Sequence, residues 1–138
     1  AMADSLCSCS FTSMLLWGAS TDKIVTDMLN PLCGWTMKPE DYWTTAKRIF
    51  TAERLLNVRE GISSKDDRLP IRMYKDKLPA GPKKDAVFTE EDQKKMEADT
   101  YGFFGWDAKG IPTEATLKAY GMDAFIGELN AAKKKYNL

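Results

Sequence analysis

The chain has 138 residues, with 20 basic and 20 acidic side chains and no histidine. This length predicts one compact domain over residues 1–138, and hydrophobic and charged fractions of 43% and 29% are typical of a folded globular chain. A net charge of zero argues against a nucleic-acid partner, because phosphate binding requires a basic surplus on some face. Without histidine the chain cannot supply a Ser-His-Asp triad or a histidine-rich zinc site by itself.

Hydropathy and cysteine usage indicate the compartment. The sequence has no uninterrupted apolar run of about 18 residues and no basic segment that precedes an apolar one, so we expect neither a membrane span nor a signal peptide. The three cysteines are an odd number, and Cys7 and Cys9 are too close for a comfortable disulfide. A reducing, cytoplasmic setting fits this pattern best.

The first clear helix is predicted from Thr21 onward. Apolar residues between positions 24 and 32 follow one stripe with the period of an α-helix. The residue before a proline is disfavoured in the helical conformation, so Asn30-Pro31 and then Gly34 are expected to end this helix.

A second, longer helix is predicted to begin at Pro39, a good first helical position, and to end at Gly61, a plausible C′ residue. When its apolar stripe is continued at helical spacing, it reaches Glu53 and Asn57. Polar groups on a core-facing stripe are costly unless they are hydrogen-bonded. Arg54 and Arg59 are the nearby candidates to satisfy them.

The second half of the chain is predicted to alternate one long loop with helices. Residues 62–84 lack periodicity and contain prolines and glycines, which indicates an extended, ordered loop. Later helices are expected from Thr89 to about Tyr101, after Thr113, and from about Phe125. Because no period-2 run of strand length appears, the predicted fold class is all-α, a compact domain of about five helices.

Three groups of side chains are candidates for chemistry. Cys7 and Cys9 could be metal ligands, but three cysteines cannot complete a four-thiolate site, and two small buried residues are the simpler interpretation. Asp4 could be a helix N-cap or a carboxylate acceptor for a planar N–H fork. Asp66-Asp67 is flanked by basic residues and is interpreted as an ion-paired structural corner rather than as an acid–base pair.

Several motifs occur in a fixed order along the chain. They are Asn57-Val58-Arg59-Glu60-Gly61, then Lys65-Asp66-Asp67-x-Leu69-Pro70-x-Arg72, then Gly105-Trp106-Asp107-x-x-Gly110-Ile111-Pro112-Thr113, and a closing Leu117-x-x-x-Gly121. In this order and spacing they resemble the C-terminal part of the tungsten-containing aldehyde ferredoxin oxidoreductases. With the segment that starts at Asp4, the resemblance covers most of the chain, and the later motifs are interpreted as structural.

The resemblance implies roles for two residues near the start of the chain. The family has a D-x-x-G-x-C motif, which Asp4-Ser5-Leu6-Cys7-Ser8-Cys9 matches except that Cys7 replaces the glycine. It implies that Asp4 accepts hydrogen bonds from a pterin and that Cys9 is one thiolate ligand of a 4Fe–4S cluster. The three other cluster cysteines, in a C-x-x-C-x-x-x-C run, are expected on an upstream polypeptide. Cys33, which replaces an expected threonine, is interpreted as a packing change.

Two functional hypotheses follow. By the resemblance, the chain is the C-terminal domain of an enzyme that oxidises aldehydes to carboxylates at a tungsten or molybdenum bis-pterin centre and passes electrons through a 4Fe–4S cluster to ferredoxin. Its partners are the N-terminal and middle domains of that parent, and the chain alone is expected to be inactive. We expect the chain either to self-associate through an exposed apolar face or to have a disordered start near Asp4 to Ser10. The alternative is a non-catalytic helical scaffold or docking module whose cysteines are structural.

Overall fold

The computed structural model describes residues 2–7, 9, 11 and 21–138. In this part of the chain helices are the regular elements, accompanied by one isolated bridge between Trp106 and Pro112, so the predicted all-α class is confirmed. The helices are α1 (Met2–Ser5), α2 (Thr21–Cys33), α3 (Pro39–Arg59), α4 (Arg72–Lys75), α5 (Glu90–Phe104), α6 (Glu114–Ala119) and α7 (Ile126–Tyr136), with a 3-10 turn at Asp123–Phe125. None of the helices described is both long enough and apolar enough to cross a membrane.

The chain forms two compact units, residues 1–53 and residues 54–138. The first unit has a small apolar core in which side chains from α2 and α3 meet, together with Leu6 from the segment after α1. Its members are Val25, Tyr42 and Ala46, with Leu6, Leu29 and Ile49 packed against them. The second unit buries its largest apolar side chains at Val58, Ile111, Leu117 and Leu129.

The end of α2 differs from the prediction. The helix continues through Pro31 to Cys33, and Gly34, at φ +67°, follows it in the left-handed region. Pro31 lies within the last turn, so its missing N–H removes a single helical hydrogen bond. The side chain of Asn30 also donates to the carbonyl oxygen of Met37 and accepts from its N–H, both at 2.9 Å, which holds this turn in place.

Helix α3 ends in a Schellman motif, and Gly61 is its C′ residue, as predicted. Gly61 has φ +88°, its N–H donates to Val58, and the N–H of Ile62 donates to Asn57. A Cβ on Gly61 would lie 2.9 Å from Cδ1 of Tyr136, so the position requires glycine for space as well as for conformation.

The predicted polar stripe on α3 is wrong in its register. Glu53 and Asn57 are exposed, whereas Arg54 and Val58 are buried. The prediction extended the apolar stripe of the first half of the helix, but in the second unit the buried positions are set by the partners of Arg54. A buried arginine is tolerated there because its donors are paired.

The predicted N-cap residues of the two helices after the long loop, Thr89 and Thr113, are confirmed. Thr89 and Asp92 form a reciprocal capping box at the start of α5, and the hydroxyl of Thr113 caps α6 by accepting from the N–H of Thr116. Helix α5 extends beyond the predicted end near Tyr101 as far as Phe104, where Gly105 at φ +73° ends it. The predicted long loop is present and contains one short helical turn, α4.

Candidate functional site

The segment that carries Asp4 and Cys9 is attached to the first unit through Leu6. Helix α1 includes Asp4, and a turn follows in which the N–H of Cys7 donates to the carbonyl oxygen of Asp4 at 3.0 Å. Leu6 is half-buried against the core of this unit, while Asp4, Cys7 and Cys9 are exposed. The one apolar residue in the motif therefore anchors the segment and leaves the polar and thiol groups at the surface.

Cys7 has a backbone conformation that normally belongs to glycine. Its φ is +52°, in the left-handed region, where a side chain costs about 1–2 kcal/mol. This is the position at which the resemblance implies glycine. The departure thus places a Cβ and a thiol where the backbone turn itself favours a residue without a side chain.

Two simpler interpretations of these residues are wrong. Asp4 lies inside α1 and not at its N-cap position. Cys7 and Cys9 are exposed, so this pair is not made of the two small buried residues that were the simpler interpretation; Cys33 is exposed as well. The physical reason is that Leu6 is the residue of this short segment that packs against the apolar core.

The donor chemistry fits a contribution to a shared centre rather than a complete site. An exposed thiol at Cys9 is the kind of group that becomes a thiolate ligand of an iron–sulfur cluster, and the carboxylate of Asp4 is an acceptor suited to a planar N–H fork. Within the described ranges, no group of three or more His, Cys, Asp or Glu side chains could hold a metal ion.

The second unit is organised around an ion pair between Arg54 and Asp67. Nη1 and Nη2 of Arg54 donate to the two carboxylate oxygens of Asp67 at 2.8 and 2.6 Å, and Nε donates to the carbonyl oxygen of Gly110 at 2.7 Å. The hydroxyl of Tyr101 donates to Asp67 at 2.6 Å, and the guanidinium carbon of Arg54 lies 5.5 Å from the ring centroid of Trp106. These contacts satisfy the guanidinium of a residue that is only 6% exposed.

The pKa values of this cluster follow from its contacts. Burial alone would raise the pKa of Asp67, but hydrogen bonds from Arg54 and Tyr101 outweigh it, and the pKa of this carboxyl lies below its usual range. Burial and the bond to Asp67 raise the pKa of the Tyr101 hydroxyl well above its ordinary value. Both shifts favour a carboxylate at Asp67 and a neutral phenol at Tyr101, which are the forms that this hydrogen-bonded arrangement requires.

The loop from Gly105 to Thr113 is closed by Asp107 and contacts Arg54 of the same cluster through Gly110. Oδ1 of Asp107 accepts from the N–H groups of Lys109 and Ile111 at 2.9 and 3.0 Å, which closes the turn. Gly110 has φ +70°, and a Cβ there would lie 2.5 Å from Nη2 of Arg54 and 2.8 Å from Cζ of Tyr101. The spacing Asp107-x-x-Gly110 therefore lets the backbone approach the guanidinium.

The remaining motif residues also make structural contacts. Asp66 accepts from the N–H of Ser63 at 3.0 Å, so the Asp66-Asp67 pair is the structural corner that was predicted. Arg59 pairs with Glu60 at 3.1 Å and with Glu128 of α7 at 3.4 Å, and all three side chains are about half exposed or more. The helical periodicity of α3 did not predict that Arg54 is buried. Its partners, Asp67 and Gly110, lie 13 and 56 residues away along the chain, so the residues around Arg54 give no indication of them.

Comparisons with known proteins agree on one family. The sequence model of a family described as "Aldehyde ferredoxin oxidoreductase, domains 2 & 3" matches residues 1–122. The chain is 36% identical over 127 residues to the tungsten-containing aldehyde ferredoxin oxidoreductase of Pyrococcus abyssi, an alignment that covers 91% of this chain and 20% of that protein. It is 37% identical over 116 residues to the protein of the same name from Thermococcus kodakarensis, covering 83% and 18% respectively.

A relative with a different name also matches. The "Aliphatic sulfonate oxidoreductase, WOR-like subunit" of Pyrococcus furiosus is 31% identical over 144 residues, which covers 100% of this chain and 22% of that protein. The chain spans about a fifth of the length of the curated relatives it matches.

Proposed function

The chain belongs to the aldehyde ferredoxin oxidoreductase family, and from this we propose that it is the C-terminal domain of an oxidoreductase that converts aldehydes to carboxylates. The parent protein holds a tungsten or molybdenum bis-pterin centre, passes electrons through a 4Fe–4S cluster to ferredoxin, and acts in the cytoplasm. The N-terminal and middle domains of the parent are the partners of this domain, and the chain alone is catalytically inactive.

The residues proposed to face the cofactors are Asp4 and Cys9. The thiolate of Cys9 is one cluster ligand, and the carboxylate of Asp4 accepts hydrogen bonds from the N–H groups of the pterin ring. When bound, the pterin-held metal supplies the two-electron oxidation and the cluster supplies one-electron transfer. The contribution of this chain is to position the Asp4 carboxylate and the Cys9 thiolate, because Leu6 of the same segment packs against the core of the first unit.

The observation that carries the proposal is the exposure of both side chains on an anchored segment. A side chain that binds a cofactor shared with another domain must be accessible on the surface of its own domain. Asp4 and Cys9 are both exposed and meet this requirement. The alternative of a helical scaffold with inert structural cysteines predicts buried thiols, which is the reverse of the arrangement at Cys7, Cys9 and Cys33.

The test compares three cysteines in the full-length parent protein. Cys9→Ser should lower iron content and the electron paramagnetic resonance signal of the reduced cluster, because one thiolate is lost. Cys33→Ser is the matched control, since Cys33 is also exposed but lies at the end of α2. Cys7→Ser should also leave the cluster intact. Equal losses in all three variants, or a parent protein without iron, would contradict the proposal.

A further inference from the structure

The segment of residues 69–88 is strongly basic in a chain whose net charge is zero. It contains five basic and two acidic side chains, a surplus of three positive charges, so the rest of the chain has a net negative charge. The basic residues are Arg72, Lys75, Lys77, Lys83 and Lys84, and all are exposed. A local surplus of this kind attracts an oppositely charged surface over roughly a Debye length, about 8–10 Å in physiological salt.

Within the described ranges, one of these five cations is paired with a carboxylate. Arg72 pairs with Asp76 at 3.6 Å. For Lys75, Lys77, Lys83 and Lys84, no ion pair with a carboxylate is formed in the part of the chain that the structure describes. Among the described residues, therefore, no ion pair neutralises the charge of these four lysines.

Large apolar side chains are exposed among the lysines. Ile71 is 71% exposed, and Met73 and Leu78 are about half exposed. Met73, Leu78, Val87 and Phe88 are among the residues that line an open groove of about 340 Å³. Apolar contact area beside positive charge is the composition of a protein-binding surface rather than of a purely solvated loop.

The segment is ordered although it contains little regular structure. The N–H of Leu78 donates to the carbonyl oxygen of Ala86 at 3.0 Å, which closes the turn that carries Lys83 and Lys84. The hydroxyl of Tyr74 accepts from the N–H of Leu69 at 3.0 Å, and its ring lies 5.9 Å from that of Phe88. A long loop held in one conformation loses less entropy when it binds, and long ordered loops in compact domains are usually functional.

We propose that this basic–apolar surface, residues 69–88, docks an acidic protein, namely the acidic electron carrier that accepts electrons from the parent enzyme. This inference rests on the proposed function. Complementary charge steers the encounter, and the apolar side chains at the centre supply the contact once the partner has arrived. A small, salt-sensitive interface of this type suits a carrier that must dissociate after each transfer.

A second basic cluster in the same unit serves as an internal control. Lys133, Lys134 and Lys135 form the last turn of α7, where they complement the helix dipole. The large apolar side chains of that helix are buried or half-buried, as at Leu129. This cluster has the charge of the loop without its exposed apolar centre.

The test is titration of the chain with an acidic bacterial-type 4Fe–4S ferredoxin at low salt, followed by calorimetry. Reversal of two charges in K83E/K84E should weaken binding by about tenfold or more and flatten its salt dependence, whereas K133E/K134E should bind like the unsubstituted chain. Ile71→Ser should weaken binding and leave the salt dependence unchanged. Absence of ferredoxin binding, equal loss in both double variants, or equal affinity for phosphatidylserine vesicles would overturn the proposal.

A second measurement separates this inference from the proposed function. In the full-length parent, aldehyde oxidation with a viologen dye as acceptor does not need ferredoxin and tests the proposed function alone. K83E/K84E should keep the viologen rate and raise the KM for ferredoxin. An active parent whose KM for ferredoxin is unaltered by K83E/K84E would overturn the docking surface and leave the proposed function standing.

Discussion

Arg54 and Asp67 form a two-point ion pair in which the arginine is buried and the aspartate is partly accessible, with side-chain exposures of 7% and 28%. The same guanidinium donates to the backbone of Gly110, 56 residues along the chain. One side chain of α3 thus connects the corner after that helix to the glycine loop before α6.

Asp67→Asn should destabilise the second unit substantially. The variant leaves a buried guanidinium without its counter-charge, and we expect the free energy of unfolding to fall by about 2–4 kcal/mol. This is slightly less than the cost of breaking a fully buried ion pair, because Asp67 is partly exposed. Urea unfolding followed by circular dichroism measures it. Asp99→Asn, at an exposed position in the middle of α5, is the matched control and should change the value by less than about 0.5 kcal/mol. Similar losses in the two variants would show that the ion pair does not stabilise the unit.

The stability of the second unit should fall in acid because of the same carboxyl. The pKa of Asp67 is lower in the folded chain than in the unfolded chain, so its stabilisation is fully present above the unfolded value of about 3.9 and is lost as the pH falls through the folded value. Urea midpoints measured from pH 6 downward should therefore drop more steeply below about pH 4 in the unsubstituted chain than in Asp67→Asn. Parallel curves would contradict this assignment.

Gly110→Ala should lower the free energy of unfolding more than alanine at Gly121, another glycine with a left-handed backbone conformation. Gly121 has φ +64°, and a Cβ added there would meet no atom within 4 Å, so Gly121→Ala should cost only the conformational penalty, about 1–2 kcal/mol. Gly110→Ala adds a clash with Arg54 and Tyr101, and we expect a further loss of about 1–3 kcal/mol. Thermal unfolding of both variants gives the comparison, and equal melting temperatures would refute the close approach.

Cys7→Gly should relieve local strain. Glycine adopts the observed φ of +52° without penalty, and we expect a gain of up to about 1 kcal/mol in the first unit. Cys33→Gly provides the matched control, because glycine in the last turn of α2 should instead cost about 0.5–1 kcal/mol. Hydrogen exchange of amides in the first unit distinguishes the two. A destabilised Cys7→Gly variant would mean that the Cys7 side chain makes a contact that outweighs its strained backbone.

The exposed apolar stripe of α2 should make the isolated chain self-associate. Met28 and Leu32 are 60% and 80% exposed, and Trp35 just beyond the helix is 51% exposed. Met28 and Leu32 lie four residues apart on the same face of α2, and an exposed apolar patch of this kind is typical of an association surface. Leu32→Glu should shift the chain toward monomer in analytical ultracentrifugation, whereas Arg48→Glu, at an exposed position of α3, should not. A monodisperse unsubstituted monomer would argue against this face as an association surface.

The ends of the helices could be predicted from the sequence because the signals that set them are local. Gly61, Thr89 and Thr113 act on backbone groups within a few residues, and the structure confirms all three. Pro31 shows where such rules fail, because a hydrogen-bonded Asn30 keeps the helix intact through the proline.

The all-α class, the capped and glycine-terminated helices and the family motifs could all be predicted from the residue order, because each depends on residues close together in the chain. Which face of α3 is buried could be learned only from the folded chain, since the partners of Arg54 lie 13 and 56 residues away and no period along one helix encodes them. Packing between distant residues also sets the orientation of the Asp4–Cys9 segment. Leu6 takes the one apolar position against the core, and the thiols that polarity alone would have buried are turned outward.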